Sequence, residues 1–287
     1  MTASTSAAAV EAAVAAPARR RGSNRWPMYL LAGAFTAFFI LPIYLIAVAA
    51  VSPPADISGF PKALYPRNIS LDTLVFFLTF PGVVPSMINS VAVALLTLVL
   101  STAIGAPAGY GLARFAFRGR DAFKIVILIT RAFPIAILAV PLAVTFINWN
   151  LYDTVLAVAL VHTTLALPTT VLITSSIFLA VPVDLEEAAW TLGCTPLGAF
   201  TRVVLPLAIP GIAAASIFTF VLSWNEVFAS SILTVQNHTL PAQMLATLSN
   251  SPLPYRFAGG FVLIVPSLIF IFIIRGYLLS MWGRVIK

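Results

Sequence analysis

Few side chains in this 287-residue sequence could do chemistry, and they gather in a few places. Ser216, Thr219, Ser223 and Glu226 recur at i, i+3, i+7 and i+10, one face of a helix, with Trp224 and Asn225 beside the carboxylate. Thr163, Thr170 and Thr174 recur at i, i+7 and i+11, next to His162. Both faces lie in otherwise apolar stretches, where unpaired polar groups are costly, so they must turn toward a watery path or a neighbouring helix. A path would offer hydrogen bonds to a polar solute. Trp224 would present an aromatic face to sugar C–H groups, and Asn225 and Glu226 would present amide and carboxylate partners for hydroxyls. The alternative is helix packing, with Ser and Thr hydroxyls bonded to backbone carbonyls and Trp224 serving as an interfacial aromatic.

Other chemistries are missing. A phosphate-binding loop needs a Lys followed by Ser or Thr after a Gly-rich turn, and the only lysines, Lys62, Lys124 and Lys287, have no such context. His162 and His238 are the only histidines and stand in no metal-binding spacing; Cys194 is the only cysteine, which excludes an intrachain disulfide. No paired carboxylates suggest acid–base work. The chain reads as non-catalytic, without a cofactor or metal of its own.

The elements that must position these groups are membrane spans. The sequence is 60% hydrophobic and only 9% charged, against about a quarter charged in soluble domains. Its net charge of +7 could suggest nucleic acid, but the basic residues sit between apolar runs, where topology explains them. The runs predict six helices at about 28–51, 86–108, 121–146, 154–179, 207–229 and 258–282. The first run is longer than the roughly 7–15 residues of a signal-peptide core, so Ala47-Val48-Ala49 is read as span rather than cleavage site. Arg19, Arg20, Arg21, Arg25, Arg114, Arg118, Arg120, Lys124, Arg202, Arg284 and Lys287 fall on one side of this map, and only Lys62, Arg67 and Arg256 on the other. That bias predicts an all-α integral membrane protein with both termini cytosolic. Arg131 and Arg275 fall within spans, where reaching to lipid headgroups is the simplest role and lining an inner vestibule a second one for Arg131.

Between the fourth and fifth spans lies a segment, 182–206, that is outside the membrane yet built to be helical. Pro182 suits a first turn, Asp184, Glu186 and Glu187 sit at the favourable dipole end, and Gly193 suits the stop. Leu185, Ala188, Ala189 and Leu192 form one apolar stripe with little soluble mass to cover it, so it must lie on lipid or dock into another protein.

Glu187-Ala188-Ala189, then Gly193, Val203 and Leu205-Pro206 at their spacing, resembles the EAA loop of ATP-binding-cassette (ABC) importer permeases, with Val203 where Ile is usual. Asn89-Ser90, the run Gly111–Gly119 and Ser223–Glu226 are similar to the maltose/trehalose branch; the likeness covers about 83–287. It leaves out a basic tail (1–26) and a first span with its external loop (27–82). The resemblance implies a type I importer permease fold in a prokaryotic inner membrane and a sugar such as trehalose or maltose as cargo. It implies a second homologous permease, an ATPase dimer that binds ATP and Mg, and an external solute-binding protein. Leu185, Glu187, Ala188, Ala189, Leu192, Gly193, Leu205 and Pro206 would couple to the ATPase, Glu187 anchoring or capping the helix. Ser216, Thr219, Ser223, Trp224, Asn225, Glu226, Thr163 and Thr170 would line the path. Asn237, His238, Thr239, Leu240 and Pro241 would meet the binding protein. Rival readings are a permease for glycerol phosphate or an amino acid, a half-transporter driven by an ion gradient, and a membrane scaffold without a path.

Overall fold

The computed structural model describes residues 25–60, 64–248 and 251–283, with side chains over 25–60, 64–247 and 251–276. Residues 1–24 of the basic tail, Arg284 and Lys287 lie outside the described residues. The chain divides into two compact units at Leu45/Ile46. Helix α1 (Trp26–Ala50) is apolar all round, as a lipid-facing span must be. Short helices α2 (Pro54–Ser58) and α3 (Asp72–Thr79) follow. Helix α3 buries Phe77.

The centre of the second unit is the pair α4 (Val83–Arg114) and α7 (Val155–Leu179). Thr97, Ser101, Gly105, Gly109 and Ala113 recur every fourth residue on α4, and all are buried. This stripe of small residues lets the two backbones meet. A Cβ placed on Gly109 would lie 2.8 Å from Ser175 N and 2.9 Å from Val171 O. Thr174 Oγ1 crosses the same seam and donates to Gly105 O at 3.0 Å.

The third span is not the single rod expected over 121–146. It is α5 (Arg120–Ile129) and α6 (Ile135–Asn148), joined by a 3-10 turn at Thr130–Ala132 and bent by 84°. Pro134 is the physical reason: it cannot donate its amide, and it forces Phe133 into extended backbone (ψ 118°). Among the described residues five helices are long and apolar enough to cross a membrane, and six spans result when this bent pair counts as one.

The fifth span, α10 (Leu205–Asn225), ends earlier than expected. The chain breaks at Glu226 and resumes as α11 (Phe228–Leu233), because Glu226 Oε1 accepts the Phe228 amide at 2.9 Å and so starts a new helix. Helices α12 (Leu240–Leu248) and α13 (Leu253–Gly283) complete the chain. Phe220 of α10 stacks on Phe270 of α13, with ring centroids 3.8 Å apart and planes 8° apart.

Candidate functional site

At the carboxyl end of α4 sits the segment between the fourth and fifth spans: α8 (Asp184–Thr191), α9 (Pro196–Ala199) and a π-helical turn, Phe200–Val204. Gly193 ends α8 with φ of 88°, a left-handed conformation that L side chains resist. Its amide donates to Trp190 O (2.9 Å) and the Cys194 amide donates to Ala189 O (3.0 Å), the paired bonds of a Schellman stop. Thr195 then caps α9 by accepting the Gly198 amide at 3.1 Å.

The two faces of α8 have different fates. Glu186 and Ala189 are buried; Leu185, Glu187, Ala188, Trp190 and Leu192 are exposed, Leu192 by 85%. Glu187 therefore does not anchor the helix within this chain, contrary to expectation. One residue is a rotation of about 100°, and it is Glu186 that points inward. Its carboxylate accepts from the Tyr110 hydroxyl and from Arg114 Nε, while Arg114 Nη2 donates to Val181 O at 2.9 Å. Tyr110 lies between Phe200 (4.5 Å) and Phe178 (5.5 Å). Leu205 is half-buried and Pro206 exposed in the first turn of α10, so both open the fifth span. Tyr110 escaped the sequence reading. The signal was its place four residues before Arg114, on the same face of α4.

Along the spans, the two polar faces meet each other. Thr170 Oγ1 and Thr219 Oγ1 are 3.2 Å apart, and His162 Nδ1 lies 2.8 Å from Ser223 Oγ. Thr163 donates to Ala159 O (2.7 Å), Thr170 to Ala166 O (3.0 Å) and Ser216 to Ala213 O (2.6 Å). All five hydroxyl residues are buried; Thr170, Thr219 and Ser223 bond across to the neighbouring helix, while Thr163 and Ser216 return their hydroxyls to their own helix, so within this subunit none faces a path. Trp224 is also corrected: it is 1% exposed, donates from Nε1 to Leu263 O at 2.9 Å and stacks with Phe220, leaving no ring face for a sugar. Asn225 is exposed, its amide returned to Val221 O at 2.9 Å.

Glu226 does reach open space. A cavity of about 470 Å³ is lined by Thr130, Arg131, Thr164, Pro168, Leu222 and Glu226. The bend between α5 and α6 lies beside it, and Arg131 is part of its wall. Glu226 Oε2 is held at 3.0 Å by His162 Nε2, which joins α7 to the α10–α11 break. Hydroxyl, guanidinium and carboxylate groups on an apolar wall can hydrogen-bond a polar solute.

At the amino end of α4 a third group of residues is sewn down. Asp153, at φ of 60°, accepts the backbone amides of Val235 (2.9 Å), Gln236 (3.1 Å) and Asn237 (3.0 Å). Burial pushes its carboxyl up, but those amides together with nearby His238 outweigh this and hold it below the ordinary carboxylate value. Ser90 Oγ accepts the Leu240 amide at 2.7 Å, and Asn89 Nδ2 donates to His238 O at 3.3 Å. Thr239, Leu240 and Pro241 are therefore buried and unable to project to a partner, against expectation; His238 is half-buried, bonded to Thr234 Oγ1 at 2.7 Å. Asn237 remains exposed.

Comparison with known proteins agrees with this architecture. The trehalose transport system permease protein SugB of Mycobacterium tuberculosis is 29% identical over 244 residues, 83% of this chain and 88% of that protein. The diacetylchitobiose uptake system permease protein NgcG of Streptomyces coelicolor is 31% identical over 218 residues, 76% of this chain and 72% of that one. A bacterial ABC transporter involved in importing the acidic polysaccharide alginate contains a chain of the same fold, with a TM-score of 0.69 at 21% identity over 91% of this chain and 99% of that chain. Residues 102–279, from the small-residue stripe of α4 through α8 to α13, match the family described as the binding-protein-dependent transport system inner membrane component, and the chain belongs to that family.

Proposed function

We propose that this chain forms half of the translocation path of an ATP-driven saccharide importer, with both termini in the cytosol. The observation that carries the reading is the split face of α8. Its inner side is bonded to α4, while Leu185, Glu187, Ala188 and Leu192 stand exposed on the outer side. An apolar, small-residue surface with one free carboxylate fits a groove on a separate ATPase subunit, which would bind ATP and Mg. Closure of two such subunits would push α8, and the spans would turn the cavity toward the external side. A second homologous permease would complete the path, and an external binding protein would deliver the saccharide.

Saccharide cargo is supported by the permeases of similar sequence and by the cavity's mixture of hydroxyl and charged groups. One observation favours an acidic saccharide as a second reading: Arg131 brings a guanidinium into that wall, ready for a carboxylate. The test is ATPase activity of the purified complex with its binding protein, screened across neutral disaccharides and uronate oligosaccharides. Stimulation by neutral sugars supports the first reading, stimulation by uronates alone supports the second, and uptake that needs no ATPase subunit refutes both.

A further inference from the structure

We propose that Glu186, Tyr110 and Arg114 are positioning residues that make α8 and the α4–α7 pair a single moving body. The proposal rests on reading the exposed face of α8 as the ATPase-docking surface, and it adds how displacement leaves that surface. Glu186 is 1% exposed and the Arg114 side chain 9% exposed, so this is a charged pair taken almost wholly out of water. Both carboxylate oxygens are used, one by the Tyr110 hydroxyl and one by Arg114 Nε. The same guanidinium holds Val181 O at 2.9 Å, five residues before Glu186. Two attachment points on one guanidinium stop the loop from swivelling about either.

The attachments run into the rigid part of the subunit. Phe178 belongs to the last turn of α7 and Phe200 to the π turn before α10, and the Tyr110 ring touches both. At Gly109, the residue before Tyr110, α4 and α7 are in backbone contact. Opening the latch would leave a carboxylate and a guanidinium each unpaired in a low-dielectric setting, which resists separation strongly. A loop that absorbed movement would gain nothing from such a pair. A loop that passes movement on requires one.

The test uses the complete transporter in proteoliposomes with Glu186→Gln, Arg114→Gln, Tyr110→Phe and the double variant Glu186→Gln/Arg114→Gln. Retention of the ATPase subunit, ATP hydrolysis and saccharide uptake are measured together. We expect the glutamine variants to keep the ATPase subunit and to hydrolyse ATP, with uptake per ATP reduced by about tenfold, the scale of a coupling between sites. The double variant should be no worse than either single one, because both remove one shared bond. Tyr110→Phe deletes one hydroxyl and no charge, so it still decides the matter if a glutamine variant fails to assemble; its uptake per ATP should also fall. Unchanged uptake per ATP in Tyr110→Phe and Glu186→Gln would overturn the proposal, as would loss of the ATPase subunit with normal uptake per ATP in what remains. Should wild type hold no ATPase subunit at all, the docking reading fails on its own. A spin label on Cys194, the sole cysteine, then tests the latch directly: greater mobility in Glu186→Gln supports it, and unchanged mobility refutes it.

Discussion

Gly109 and Gly111 lie two residues apart on α4, and replacing each with alanine should move stability in opposite directions. In a helix interior alanine gains about 0.5–1 kcal/mol over glycine from backbone entropy. At Gly111 a Cβ meets nothing within 4 Å, so Gly111→Ala should keep that gain. At Gly109 it would meet Ser175 N at 2.8 Å and Val171 O at 2.9 Å, where ordinary contact begins near 3.4 Å. Those are backbone atoms, so no rotamer change relieves them, and α4 and α7 must separate by about 0.5 Å. Overpacking of this kind costs about 1–3 kcal/mol. The separation also stretches the Thr174–Gly105 hydrogen bond one turn away, about 1 kcal/mol more. Net destabilisation of Gly109→Ala is then about 1–3 kcal/mol. Thermal unfolding in detergent checks this: at about 2–4 °C per kcal/mol for a chain near this size, the two variants should differ by roughly 5–10 °C. If Gly109→Ala melts at or above Gly111→Ala, the backbone contact is not what holds this pair together.

Other substitutions separate roles that share a neighbourhood. Trp224→Ala should cost about 3–5 kcal/mol in unfolding measurements, since it empties a buried stack; a sugar-contact role predicts lost uptake at unchanged stability instead. Ser90→Ala strands the buried Leu240 amide and should cost about 1–3 kcal/mol, read by denaturant or thermal melts. Asp153 carries a pH signature. Its folded carboxyl is held below the ordinary value, so the stability it contributes is present above the unfolded pKa of about 4 and is lost as pH falls through the lower folded value. The melting gap between wild type and Asp153→Asn should be full at pH 7 and close progressively below about pH 4. A gap that widens in acid contradicts the sign.

Six apolar spans, their order and the helical segment at 182–206 were legible because bilayer thickness and the 3.6-residue period act on consecutive residues. The break in the third span was carried by Phe133-Pro134, but proline also sits inside unbroken helices here, at Pro107 and Pro210, so the residue alone does not announce a break. The α4 stripe of Thr97, Ser101, Gly105, Gly109 and Ala113 is a four-residue repeat of small side chains that the sequence reading passed over, though it was there to be found. Its partner on α7 was not, since nothing local tells which helix will lie against it.

The polar faces show why periodicity stopped short of function. A face of Ser216, Thr219 and Ser223 satisfies the same spacing whether it meets water or another helix, and the deciding fact is a partner far along the chain: Thr170 for Thr219, His162 for Ser223. Glu226 differs because it terminates a helix. Only a group at a break can bond its own backbone, reach His162 and still border open volume. The neighbours Glu186 and Glu187 obey the same logic at the other end of the bundle. Glu186 holds α8 to its own subunit, and Glu187 faces outward, where the proposed ATPase subunit would meet it. Adjacent positions on an α-helix, about 100° apart, are the shortest sequence that provides both.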